Sequence, residues 1–261
     1  MPAVLNKPFV PCSDPPTPTI GRHDMSVQLP DPVLDKAPSN EEMLQAYLDG
    51  AARLISVARK AGEDRADVIV PASPAWSVRN VVAHLTSVAH ISVNRLGWGD
   101  DVQATIDREV AARADHTIEE ITAEWENLLE PLAQMFAGQP SGPLVVDVVT
   151  HEHDVRAALG AEYVDHTAGL EAALSAMVAW VRYLGLVGEE GLLLKTPTSQ
   201  ALFGGPEVKC EVELPSDWEL FRLLGVRRSE EQLMGYPATG DQALLLAVTS
   251  RYPLPEAPLA D

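Results

Sequence analysis

The segment DVVTHEHDVRAALG, residues 147–160, sets Asp147, His151 and Asp154 at spacings of four and three, in a stretch otherwise patterned like a buried helix. Residues four apart on a helix point the same way, so Asp147 and His151 form a two-ligand comb and Asp154 continues its edge. A carboxylate oxygen and an imidazole nitrogen together suit zinc, iron, nickel or a similar divalent ion. Two ligands do not make a site, and a third has to come from another helix. His84, in VRNVVAHLTS, is the best placed, at the edge of an apolar helical face. The same residues also admit plainer readings: a surface Asp/His pair, and a core histidine with satisfied hydrogen bonds.

The other histidines compete poorly. His153 lies roughly 200° around the helix from His151. His90 falls on a different side of its helix from His84, and His116 and His166 sit in loops beside helix caps. Arg222, Arg227 and Arg228 cluster in an otherwise acidic chain. They read either as charge complementation of a helix C-terminus with local ion pairs, or as an anion clamp, because guanidinium forks hold carboxylates well. Trp76 stands immediately before a helix cap.

The elements that must position these residues follow from capping and periodicity. Ser39 with Glu42 forms a capping-box pattern, and Met43, Leu44, Tyr47, Leu48, Ala51, Leu54, Ile55 and Ala58 recur at helical spacing up to Gly62. After a loop PASPAW, Ser77 caps a second helix running to about Leu96, stopped by Gly97 and Gly99. A third begins at Thr117 with Glu120 in capping-box register. A fourth has Pro143 as a first helical residue and ends at Gly160, and a fifth spans about Thr167 to Leu186. These predict a mainly α fold whose residues 38–187 form an antiparallel helical bundle.

From Gly188 the texture changes, which predicts a small α+β domain over 188–261. GLLLKT and EVKCEVEL read as paired strands or a hairpin, with SQALFGGP as the turn between them. Ser216 with Glu219 opens the short helix DWELFRLLG, RRSEEQL offers another, and YPLPEAPLAD is too proline-rich to pack regularly. Residues 1–37, dense in proline, read as a flexible tail in which Met25 could serve as an alternative start.

The chain has 261 residues, 46% of them hydrophobic, enough for a sizeable core. Nineteen Lys and Arg against thirty-eight Asp and Glu give a net charge of -19, which disfavours nucleic acid and anionic membrane surfaces as partners. Two cysteines, Cys12 and Cys210, argue against a disulfide framework and for a reducing, cytoplasmic compartment. No stretch has the length of a signal-peptide core or a membrane span. No pattern indicates an oligomeric state.

Three motifs in order, PAWSVRNVVAHL, DVVTHEHDVRAALG and ELFRLLGVRRSEEQ, resemble the mycothiol-dependent maleylpyruvate isomerase family, over about residues 40–250. The resemblance implies a DinB-like four-helix bundle holding a divalent metal, most simply zinc, and a small C-terminal domain completing the cleft. Carried over by motif, the metal ligands are His84, Asp147 and His151, with Asp147 standing where the family has glutamate. The resemblance also implies mycothiol as a low-molecular-weight thiol cosubstrate, activated as thiolate and added or transferred to a small-molecule electrophile. With maleylpyruvate, addition to the double bond permits rotation to the trans isomer before the thiol leaves. Asp154 is then a candidate outer partner of the ligands, and Arg222, Arg227 and Arg228 candidates to hold a substrate carboxylate.

Two other classes compete. The C-terminal module resembles sterol-carrier-like folds, so a lipid or small-molecule carrier with a degraded metal site is one alternative. A hydrolase whose metal activates water is the other.

Overall fold

The computed structural model describes residues 38–137, 142–162 and 167–259. The proline-rich segment 1–37, with Cys12 and Met25, and His166 lie outside the described residues. The fold is mainly helical, with a small sheet and short helices at the C-terminal end, the class the sequence predicts.

Helix α1 (Asn40–Ala61) opens with the expected capping box, in which the Glu42 carboxylate accepts from the Ser39 backbone N–H at 2.7 Å. A single turn α2 (Glu63–Ala66) leads into a two-stranded ribbon of β1 (Ile69–Val70) and β2 (Ser73–Ser77). The ribbon corrects the reading of PASPAW as loop. A strand with partners on one side only tolerates Pro74, which breaks the usual strand pattern in sequence. Ser77 caps α3 (Val78–Asn94) with Asn80 as its reciprocal partner. This helix ends short of Leu96, because Arg95 takes a left-handed conformation (φ 52°) as the C-cap.

The unanticipated α4 (Val102–Ala111) is capped by the Asp101 side chain, which accepts from the Ala104 N–H at 3.0 Å. Thr117 and Glu120 cap α5 (Ile118–Phe136), and α6 (Gly142–Leu159) and α7 (Thr167–Leu184) complete the bundle. Helix α5 packs on α3, while α1 packs on both α6 and α7. Tyr47, Leu54, Val81, Leu85, Ile121, Trp125, Leu132, Val148 and Leu174 fill the centre.

Helix α6 differs from the others because neighbours cover it nearly all round: α1, α3, α7 and β1 all touch it. Its polar residues Glu152, His153, Asp154 and Arg156 are consequently buried along with its valines. A buried charge or polar group is tolerated only with partners. Glu152 accepts from Arg53 Nε at 2.9 Å and from Arg156 Nε at 3.0 Å. The His153 ring lies 4.1 Å from that of Trp218.

The two C-terminal segments expected to pair do so, but not as a hairpin. Strands β3 (Gly191–Lys195), β4 (Gln200–Phe203) and β5 (Val208–Glu213) form a sheet in the order β4, β3, β5, completed by β6 (Ala238–Gly240). GLLLKT and EVKCEVEL run parallel, with Leu192 opposite Cys210, and the supposed turn SQALFGGP contains β4, antiparallel to β3. The physical reason lies in GLLL itself, where four consecutive buried residues mark a central strand flanked on both edges. Close approach fixes Gly191, where a Cβ would stand 2.6 Å from the Glu207 carbonyl oxygen. Helices α8 (Asp217–Leu224) and α9 (Glu230–Met234) fall where Ser216 and Ser229 cap them, and α10 (Ala243–Thr249) is a further unanticipated element. Helix α8 packs on α7, which brings ELFRLLGVRR to the bundle.

Candidate metal centre

The site is built from two helices and one strand. His84 projects from α3, and Asp147 and His151 from one edge of α6, as the four-residue spacing requires. Three atoms, one from each side chain, lie within 4.8 Å of one another. His84 Nε2 is 3.1 Å from Asp147 Oδ2, and His151 Nε2 is 3.4 Å from Asp147 Oδ1. Both imidazoles thus turn the same nitrogen toward one carboxylate.

These spacings can be tested against a tetrahedral ion. With zinc to ligand bonds of about 2.0–2.1 Å, neighbouring donors stand about 3.3 Å apart. The two contacts of Asp147, at 3.1 and 3.4 Å, lie close to that edge. Both histidines are buried, whereas Asp147 keeps about a quarter of its side chain exposed (26%), which gives the site its opening. Burial would raise the Asp147 carboxyl, but His84, then His151 and Arg227, hold it below the usual carboxylate range. It is therefore poised as an anionic ligand.

Trp76, on β2, walls the site. Its ring lies 4.8 Å from that of His84 and 6.1 Å from that of His151, each tilted by 40°. Sequence analysis noted this tryptophan only by its place before a cap. The ribbon that carries it toward the ligands was not legible, because β2 has no strand-like alternation.

Beyond the three candidate ligands, Asp154 is fully buried beneath His151, whose Nδ1 stands 3.3 Å from Asp154 Oδ2, outside hydrogen-bond geometry. Arg222 Nη1 donates to Asp154 Oδ1 at 2.7 Å, and Arg227 donates to Oδ2 through Nε at 3.1 Å and Nη2 at 2.9 Å. Of the two readings of the arginine cluster, the structure displays the ion pairs. Every nitrogen of Arg227 is engaged, Nη1 by the Gly225 carbonyl, and Arg222 also grips Asp154. Arg228 is turned to Glu219, to which it donates through Nη2 at 2.7 Å and through Nε. The cluster closes on the protein's own carboxylates because burial demands partners for them.

The remaining histidines stay away from the centre among the described residues. His90 Nδ1 lies 3.6 Å from Glu109 Oε2, and His153 faces Trp218 on the other side of α6.

Comparison with known proteins bears on the fold and the family. Residues 47–171 match the family model described as mycothiol maleylpyruvate isomerase N-terminal domain. The structure is similar to a crystal structure of the mycothiol-dependent maleylpyruvate isomerase, with a TM-score of 0.58 and 15% identity over 81% of this chain and 97% of that one. A histidine-to-alanine mutant of that enzyme gives 0.56 and 14% over the same shares. At such identities the likeness is one of fold. No curated protein matches the chain at a significant level.

Proposed function

We propose, from the match of residues 47–171 to the mycothiol maleylpyruvate isomerase N-terminal domain model, that this chain is a metal-dependent enzyme using a small thiol. Its reaction is the addition or transfer of mycothiol to an electrophilic small molecule, with isomerisation of a maleylpyruvate-like substrate as the form the family suggests. The observation that carries this reading is the convergence of one donor atom each from His84, Asp147 and His151 within 4.8 Å of one another, with both imidazoles turned to the Asp147 carboxylate.

Two imidazoles and one carboxylate form a mixed nitrogen and oxygen donor set that suits zinc. Three protein ligands leave a position open, the arrangement of a catalytic rather than a structural site. A divalent ion held there supplies the Lewis acidity that keeps a thiol ionised at neutral pH. The chain's own residues do the rest. His84 and His151 present fixed nitrogens from two different helices, Asp147 brings the negative charge, and Trp76 shields the imidazoles on one side. The partly exposed Asp147 side is where thiol and electrophile enter.

Metal content by mass spectrometry, on native protein beside His151→Ala treated identically with zinc and dialysis, tests the ligands. About one ion per chain, lost in the variant, is expected. Loss of free thiol on mixing mycothiol with maleylpyruvate-type electrophiles then tests the chemistry. No ion in either protein overturns the metal reading, and lipid co-purifying with such a protein would favour a carrier.

A further inference from the structure

The C-terminal part reaches the metal centre through one buried carboxylate. Asp154 has no solvent exposure at its side chain, and Arg222 has 2%. Arg222 lies on α8, and Arg227 follows Val226, a buried β-branched residue held at φ 58°. That conformation is unfavourable for valine, so the surrounding structure has to enforce it. It turns the chain so that Arg227 Nη1 meets the Gly225 carbonyl while Nε and Nη2 meet Asp154.

On its other side, Asp154 Oδ2 stands 3.3 Å from His151 Nδ1, a buried nitrogen with no hydrogen-bond partner. A histidine that ligates through Nε2 carries its proton on Nδ1, and an acceptor there fixes both tautomer and ring orientation. A small rotation of the ring brings that proton onto Asp154. We propose that Asp154 is a positioning residue for His151, and that Arg222 and Arg227, by holding it, make metal affinity and the docking of α8 interdependent. The inference rests on His84, Asp147 and His151 being ligands.

Coupling of this kind is reciprocal, because whatever α8 contributes to metal binding, metal returns to α8. The test measures zinc affinity by chelator competition in the full-length chain, comparing wild type with Asp154→Asn and Arg227→Lys. Folding is checked by circular dichroism, and the cobalt-substituted visible spectrum reports ligand geometry. Amide exchange in 217–224 is followed with and without zinc.

Expected are zinc binding weakened about 10- to 100-fold in Asp154→Asn, an altered cobalt spectrum, and slowing of exchange by zinc in wild type only. If Asp154→Asn does not fold, Arg227→Lys, which keeps the charge but not the two-pronged grip, decides by the same criteria. A folded variant with wild-type affinity and spectrum overturns this inference alone. A wild type that binds no metal overturns the ligand reading, and this inference with it.

Discussion

His84 reaches from α3 to place Nε2 3.1 Å from Asp147 Oδ2 on α6, so that two helices distant in sequence share one carboxylate. At this separation the aspartate already meets the edge of a tetrahedral ion. Asp147→Glu, which lengthens the side chain by a methylene, is therefore expected to bind zinc no more tightly than wild type in chelator competition. A gain above about tenfold, or about 1.4 kcal/mol, would show that aspartate spans too short a distance.

Trp76 should report on an ion taken up beside it. Zinc titration is expected to change the tryptophan fluorescence of the protein, since its ring lies 4.8 Å from that of His84. Trp76→Phe should bind zinc while losing most of that change. An undiminished change in Trp76→Phe would place the reporting tryptophan elsewhere.

Glu152 lies next to His151 in sequence but serves the fold. It is fully buried and holds Arg53 and Arg156 by charge-assisted hydrogen bonds. Removing one partner of a buried pair leaves unpaired charge and costs about 3–5 kcal/mol. Glu152→Gln is expected to lower the melting temperature by on the order of 10 °C, with zinc stoichiometry retained. A melting curve together with metal content checks both halves.

Acid should weaken the chain through Asp154. Burial alone would raise this carboxyl, but Arg227 and then Arg222 hold it well below the usual range. Its pKa is thus depressed in the folded state and near about 3.9 in the unfolded one. The unfolded chain binds the extra proton, so the stabilisation is full above that unfolded value and is lost as pH falls toward the folded one. Urea midpoints between pH 5 and pH 2, about where carboxylates titrate, should fall more steeply for wild type than for Asp154→Asn. Parallel curves would assign the acid sensitivity to other groups.

What the sequence disclosed was local in origin. Ser39 and Thr117 announced their helices because a cap and its partner sit three residues apart, Ser77 by the cap alone, and Asp147 and His151 announced a shared face because helix geometry is regular. His84 joined them only through its motif, since nothing in local spacing says which helix faces which. The parallel pairing of β3 with β5 was hidden for the same reason: register across a sheet depends on long-range partners, and SQALF reads like a turn until β3 is seen to need a neighbour on both edges. The arginines were legible as a cluster, but not their attachment to Asp154, which depends on how α8 meets α6.

The order of strands also bears on how copies of this chain can meet. An unpaired strand edge is a template on which another molecule can build. Here one outer strand, β4, lies against α7, whose Arg182 donates to the Leu202 carbonyl at 2.9 Å. The other, β6, has three residues and ends at Gly240, whose φ of 89° breaks the extended run. Both borders are therefore short, and neither offers a long template on which another copy could continue the sheet.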